Sequence, residues 1–231
     1  EVLQNWPIDP VVSVNKVETG LLNQTFVVHT KTNMYILQQL HQVVSLPGCT
    51  SNYFHVTQFL LKQGKICQRL VSTKKNELRI IYNNCFWRLL QAVPGQVYTT
   101  TPNLHIASEA GRLLAKFHVS LQDYHHDLQP TLPMFQYNLV LEKLLNYETK
   151  FRNDPNEKVK TAYQIIIKNF PKLLLPKNLP QSIIHTDPKI SNFLFEEDQG
   201  ICMIDLDTVQ KLSPLYDIGD CVRSICGQEE D

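Results

Sequence analysis

The chain has 231 residues, of which 43% are apolar and 19% are charged, enough to bury one substantial core or two small lobes but too few for several domains. The 22 basic residues balance the 22 acidic ones, so no overall field favours nucleic acid or an anionic membrane as a partner. No apolar run is long enough to span a bilayer, and no secretory signal pattern is seen at the N-terminus. The six scattered cysteines form no Cys-x-x-Cys pair, which favours a soluble protein of the reducing cytoplasm.

Five extended segments and one helix are predicted in the first 92 residues. β-branched and aromatic residues mark the extended segments, at residues 11–16, 24–31, 34–40, 79–82 and 86–92. A polar turn, Lys31-Thr32-Asn33, separates the second segment from the third, so the first three form an antiparallel meander. The helix covers residues 53–63 and ends at Gly64. Val93-Pro94-Gly95 then breaks the extended pattern.

From residue 107 onward the spacing of apolar residues changes to that of a helix. The predicted elements are a helix from residue 107, helices at 139–151 and 157–170, and strands at 182–185, 193–195 and 201–204. Together the elements predict an α+β fold with two lobes. A small antiparallel-sheet lobe (residues 1–91) is joined by a hinge (92–95) to a mainly helical lobe (96–231).

Chemically reactive side chains cluster in the loop after the strand at 182–185. Asp187, Lys189 and Asn192 place a carboxylate, an ammonium group and a carboxamide at offsets 0, 2 and 5, and Asp205 ends a strand thirteen residues after Asn192. Phosphoryl transfer uses this set: a carboxylate that accepts the proton of a hydroxyl nucleophile, a cation for the phosphoryl oxygens, and two oxygen ligands for Mg²⁺.

Each of these residues alone has a simpler interpretation. An aspartate after a histidine is usually a turn or cap residue, and Ile204-Asp205-Leu206-Asp207 also suits a strand end with two solvated carboxylates. Residues 185–231 hold eleven acidic and three basic residues, a balance that fits either a solvated face or a site for a divalent cation. The combination of residue types, spacing and flanking apolar strands favours a functional site.

The loop resembles a known family. His185-Thr186-Asp187-Pro188-Lys189-Ile190-Ser191-Asn192, followed by Ile204-Asp205-Leu206-Asp207, is similar to the motifs of the aminoglycoside phosphotransferase and choline kinase superfamily, which has a protein-kinase-like fold. Further segments are most similar to the N-acetylhexosamine 1-kinase branch. They are residues 20–26, 35–38, 109–118, 132–135, 205–209 and 216–223. The resemblance covers roughly residues 20–226.

The resemblance implies roles for five residues of this chain. Asp187 is the catalytic carboxylate, Asn192 and Asp205 hold Mg²⁺, and Lys189 lies near the γ-phosphate. Asp207 hydrogen-bonds the acceptor sugar, and if the chain stays extended it shares a face with Asp205. Surface roles remain open for Lys189 and Asp207. His185 is expected to stabilise the loop through backbone hydrogen bonds, and Asp217 and Asp220 to brace it.

The resemblance also implies that ATP binds between the two lobes. Gly20, Asn23 and Thr25 belong to the turn over the phosphates. Gln38 stands where protein kinases carry a strand lysine, so the nucleotide is expected to be held by neutral hydrogen bonds, Mg²⁺ and nearby cations. The adenine is expected to meet unpaired backbone groups at Gln91 and Val93 in the hinge.

Three functions follow as hypotheses. The first is ATP-dependent phosphorylation of a small polar acceptor, with the anomeric hydroxyl of an N-acetylhexosamine or related sugar favoured. The second is an aminoglycoside, choline or homoserine type of phosphotransferase. The third, a non-catalytic nucleotide-binding module, is disfavoured because Asp187, Lys189, Asn192 and Asp205 are all present. Relatives of the hexosamine branch continue for several helices, so we expect the C-terminal part of the acceptor pocket to be missing from this sequence.

Overall fold

The computed structural model describes residues 1–18, 22–132 and 134–227. The chain forms two compact units, one of Glu1–Leu132 with Gln181–Asp231 and one of Pro133–Pro180. The first unit contains the strands and the second contains three helices. The predicted α+β class with an antiparallel sheet and helices is therefore confirmed. The lobe boundary expected at residues 91–96 lies inside the first unit and stays a prediction.

A six-stranded antiparallel sheet forms the N-terminal part of the first unit. Its strands are β1 (Val11–Val17), β2 (Gln24–Thr30), β3 (Met34–Gln39), β4 (Arg69–Leu70), β5 (Ile80–Tyr82) and β6 (Cys85–Gln91). The order is β1-β2-β3-β6-β4, with β5 also paired to β6. The predicted meander is confirmed. β4 was not predicted because a two-residue strand is too short for an alternating pattern.

Helix α1 (Pro47–Lys62) begins six residues before its predicted start. Its first turn is rich in loop-forming residues, but Pro47 at the first helical positions has a backbone angle that suits a helix. Tertiary contacts complete the turn. The Asn52 side chain donates to Gln129 O at 2.9 Å and accepts from Gln129 N at 2.8 Å. This contact, 77 positions apart in the chain, overrides the local preference.

The segment after β6 packs against a hairpin near the C-terminus. Strands β7 (Ser182–Ile184), β8 (Phe193–Glu196) and β9 (Gln199–Met203) follow the second unit, and β8 pairs with β9. The backbones of Gln96 and Phe195 exchange two hydrogen bonds of 2.8 Å. Gly95 has φ +144°, and a Cβ there would lie 2.7 Å from Phe195 O. Only glycine allows this close approach.

We expect Gly95→Ala to lower the free energy of unfolding by about 2–4 kcal/mol, through backbone strain and overpacking together. Gly64→Ala is the matched control, because Gly64 also has a positive φ (+71°) but nothing lies within 4 Å of its added Cβ. The control should cost only the backbone term, about 1–2 kcal/mol. Denaturant unfolding measures both, and equal losses in the two variants would contradict the close contact at Gly95.

Helix α2 (Leu104–Ser120) supports this hairpin. The Asn103 side chain accepts from Ile106 N at 3.0 Å and caps the helix. The buried face of α2 joins β8 and β9 in the larger hydrophobic core, through Ile106, Ala110, Leu113, Leu114 and Phe117. Gly200 lets β9 approach closely, since a Cβ there would meet the Leu113 side chain at 2.6 Å.

Two elements after β9 were not predicted from the sequence. β10 (Gln210–Leu212) is short and pairs with β7, and helix α6 (Pro214–Cys226) follows it. α6 buries Asp217, Cys221 and Ser224, while Leu215 and Ile218 are exposed. Because a polar face points inward, apolar periodicity does not indicate which side of this helix is buried.

The second unit consists of α3 (Tyr137–Asn146), α4 (Glu148–Arg152) and α5 (Glu157–Leu173). One helix was predicted across residues 139–151, but the structure divides it after Asn146. Tyr163 of α5 stacks on Phe151 of α4 with ring centroids 5.2 Å apart. Across the described parts of both units, no helix combines the length and apolar character needed to cross a bilayer.

Candidate active site

A buried aspartate fixes the loop that follows β7. Asp217 of α6 is 0% exposed, and it accepts the backbone N–H groups of His185 at 2.8 Å and Thr186 at 2.7 Å. The His118 ring Nε2 lies 2.7 Å from the same carboxylate. Because the whole carboxylate is satisfied inside the protein, it braces the loop, as the sequence predicted for Asp217.

His185 holds the same loop to the end of β9. Its Nδ1 accepts from the Asp187 N–H at 3.3 Å, so the ring proton is on Nε2, which donates to Ile204 O at 2.9 Å. Thr186 has φ 72°, and its hydroxyl donates to Thr208 O at 2.9 Å. The predicted structural role of His185 is confirmed.

Asp187, Lys189 and Asn192 lie together on this loop. Lys189 Nζ is 3.1 Å from Asp187 Oδ2, and the Asp187 side chain is 32% exposed, so it can reach a ligand. Asn192 Nδ2 donates to the Asp187 backbone oxygen at 2.8 Å and to its Oδ2 at 3.0 Å. Both acceptors contact the same atom of the Asn192 side-chain amide, so that atom is the nitrogen. Asn192 Oδ1 takes no part in these two hydrogen bonds.

Asp205 is half-buried at a turn with φ 64°. Within the described residues its carboxylate has no hydrogen-bond or ion-pair partner. Burial, and next the charge of Asp207, raise the pKa of Asp205 above its usual range, while the positive charge of Arg88 acts in the opposite direction. A carboxylate in this position is stabilised by a cation.

The donor set fits a hard divalent metal such as Mg²⁺. Asn192 offers an amide oxygen and Asp205 an unpartnered carboxylate, the ligand types that Mg²⁺ takes together with phosphate oxygens and water. In the described ranges no group of three or more His, Cys, Asp or Glu side chains is arranged to bind a metal.

Asp207 differs from its expected placement. After Asp205 the chain turns into a single 3₁₀ turn, Leu206–Thr208, so the alternation of strand side chains ends there. Asp207 is 3% exposed and forms a two-pronged ion pair with Arg88, whose Nη1 donates to Oδ1 and whose Nη2 donates to Oδ2 at 2.9 Å. Both oxygens that were expected to bind a sugar contact an arginine instead.

Three of the residues expected to bind the nucleotide lie around this pair. Gly20 lies outside the described residues. Asn23 Nδ2 donates to Asp207 Oδ2 at 3.3 Å. Gln38 Oε1 accepts from Arg88 Nε at 2.9 Å and Nη2 at 2.7 Å, and Gln38 Nε2 donates to Thr25 Oγ1 at 3.4 Å. Asn23, Thr25 and Gln38 therefore form one polar cluster with Arg88.

The hinge offers fewer open backbone groups than expected. Gln91 is paired with Tyr35 in β3 and with Arg69 in β4, and the next residue, Ala92, donates its N–H to Met34 O at 3.1 Å. Because β4 covers this side of β6, Gln91 does not lie at a free sheet edge. Val93 stays the predicted hinge contact for a base.

Arg88 is the residue of this cluster that the sequence reasoning missed. It lies between apolar residues in Cys85–Gln91 and is 1% exposed. An arginine inside an apolar strand signals a buried charge, which requires a partner. The partner itself, Asp207, lies 119 positions away.

The chain belongs to a known family. Residues 13–231 match the family described as "Phosphotransferase enzyme family". The predicted superfamily and the predicted enzyme class, a small-molecule kinase, are thereby confirmed, whereas the N-acetylhexosamine 1-kinase branch stays a prediction.

Individual relatives are distant. A homoserine kinase of Bartonella henselae is 21% identical over 99% of this chain and 69% of that protein, and one of Zymomonas mobilis is 22% identical over 96% and 67%. The structure of an amicoumacin kinase in complex with AMP-PNP and Ca²⁺ matches with a TM-score of 0.68 at 15% identity, covering 96% of this chain and 66% of that one. This chain thus spans about two-thirds of the length of these relatives.

Proposed function

We propose that the protein transfers the γ-phosphoryl group of ATP to a hydroxyl of a small polar acceptor. The observation that carries this proposal is the grouping of Asp187, Lys189 and Asn192 on one braced loop, beside the unpartnered carboxylate of Asp205. A non-catalytic nucleotide-binding module has no need for a partly exposed carboxylate beside a lysine at this point.

Each residue has a defined task in the proposed reaction. Asp187 orients the acceptor hydroxyl and takes its proton as the hydroxyl oxygen bonds to the γ-phosphorus. The bond from that phosphorus to the β,γ-bridging oxygen breaks, and ADP leaves with its electron pair. Lys189 stabilises the charge on the transferring oxygens. Mg²⁺ held by Asn192 and Asp205 would neutralise charge on the phosphates.

The proposed acceptor is a small amino alcohol of the homoserine type. The relatives that match over nearly the whole chain are homoserine kinases. An N-acetylhexosamine is the second candidate, favoured by the sequence resemblance. Asp207, its expected contact, is engaged by Arg88.

A panel of acceptors tests this proposal. Release of ADP from Mg²⁺–ATP is measured with homoserine, choline, an aminoglycoside and N-acetylhexosamines, and ³¹P NMR identifies the phosphate ester formed. We expect acceptor-dependent ADP release with homoserine, and release at least about 10²-fold slower with the Asp187→Asn variant. A chain that binds Mg²⁺–ATP but phosphorylates no member of the panel would contradict the proposed function, and an anomeric phosphate as the product would decide for the sugar.

A further inference from the structure

Arg88 and Asp207 form the most deeply buried ion pair among the described residues of the first unit. Their side chains are 1% and 4% exposed. Four N–H groups of Arg88 are engaged, two by Asp207 and two by Gln38 Oε1. The guanidinium also lies over the Tyr53 ring, 4.9 Å from its centroid. With so little exposure, Arg88 is enclosed by protein.

Stability alone does not account for this pair. Removing two charges from water is costly, and well-packed apolar side chains in the same volume are often as stabilising as a buried ion pair. A two-pronged arginine–carboxylate pair does provide a fixed geometry. The pair therefore matters for the segments of the chain that it holds in place.

The pair joins the sheet to the loop that carries Asp205. Arg88 is on β6, and Gln38, its second acceptor, is on β3. Asp207 is two residues after Asp205, within the 3₁₀ turn. Asn23, next to the start of β2, also donates to Asp207, and its Oδ1 accepts from His41 N at 2.9 Å. One carboxylate therefore links the strand segments expected near the nucleotide to the turn expected to bind the metal.

We infer that Arg88 is a positioning residue for phosphoryl transfer, which acts through Asp207 to hold the Asp205 turn and the Asn23 segment in one fixed arrangement. This inference rests on the proposed function. In this arrangement, the buried arginine on β6 links the sheet to the turn expected to bind the metal. Asp207 is part of that link and does not contact the acceptor.

The test compares single and double replacements of the pair. Arg88→Met or Asp207→Leu alone leaves an unpaired buried charge and should lower Tm by roughly 6–20 °C. The double variant restores an apolar pair, so its Tm should recover most of that loss. We nevertheless expect the double variant to require at least about tenfold more Mg²⁺ for half-maximal ATP binding and to have at least a tenfold lower kcat, with the KM for the acceptor unchanged.

A second arginine–carboxylate pair provides the control. Arg112 pairs with Glu109 on α2 and donates to Gly200 O at 2.8 Å, away from Asp205. The matching double variant, Arg112→Met with Glu109→Leu, should change Tm without changing the Mg²⁺ requirement. If the Arg88/Asp207 double variant recovers its Tm and also keeps the wild-type Mg²⁺ requirement and kcat, the pair is only structural and the inference is wrong.

Two further measurements keep the inference separate from the proposed function. Arg88→Lys retains the charge and loses the two-pronged geometry, so it replaces the double variant in the test if the double variant does not fold. A wild-type Mg²⁺ requirement for ATP binding in Arg88→Lys overturns the inference. If the wild-type chain phosphorylates no acceptor, the proposed function fails, but loss of Mg²⁺-dependent ATP binding in the double variant still supports the role of Arg88. Absence of Mg²⁺–ATP binding in the wild type overturns both.

Discussion

Replacement of Asp187 by asparagine is expected to lower kcat by about 10²–10⁴-fold, the range associated with loss of a general base. Asparagine has nearly the same shape but cannot accept the proton of the attacking hydroxyl. Asn192 can still donate to the backbone oxygen of residue 187, so the loop should keep its conformation. Steady-state kinetics with the acceptor found in the panel measure the effect.

The affinity for Mg²⁺–ATP should change little in the same variant, because Asp205 and the oxygen of Asn192 are untouched. Asp198→Asn is the control. It also exchanges a carboxylate for an amide, but in the exposed turn between β8 and β9, where Asp198 accepts from the Tyr98 hydroxyl at 2.6 Å. That variant should keep wild-type kcat. Asp187→Asn with near wild-type kcat would remove Asp187 from the proposed chemistry.

Asp205→Asn is expected to remove most of the stabilisation that Mg²⁺–ATP gives the protein against heat. Asparagine is chosen because residue 205 has a left-handed backbone conformation (φ 64°), which asparagine adopts more readily than alanine does. The variant therefore loses the charge and keeps the turn. Loss of several kcal/mol of metal stabilisation in the transition state corresponds to a decrease in kcat of at least about 10²-fold.

Thermal unfolding with ATP, with Mg²⁺ and with both separates the metal effect from the nucleotide effect. In the wild type the combination should raise Tm most, whereas in Asp205→Asn it should act like ATP alone. Without ligands the variant should be at least as stable as the wild type, because it removes an unpartnered carboxylate whose pKa is raised by burial. Full Mg²⁺-dependent stabilisation of Asp205→Asn by ATP would place the metal elsewhere.

Local sequence patterns predicted the parts of the fold whose signals lie within a few residues. The meander of β1, β2 and β3 follows from alternating β-branched residues and one polar turn. Helix α5 begins at its predicted first residue, because Asn156 caps it and accepts from Lys158 N at 3.0 Å. By contrast, α6 has a buried polar face that supports the Asp187 loop, and no apolar pattern announces such a face.

Local sequence also predicted which side chains of the candidate site lie together. Asp187, Lys189 and Asn192 are close in the chain, so one loop brings them together, and Asp205 follows at the end of a predicted strand. The contacts of Asp207, by contrast, depend on segments that are distant in the chain. The i, i+2 rule holds in an extended strand, but β9 ends at Met203 and Asp205 has a positive φ. The buried side chain of Asp207 then needs a cation. Arg88 supplies it from 119 positions away, a pairing that depends on how the sheet packs against the hairpin and that no local pattern encodes.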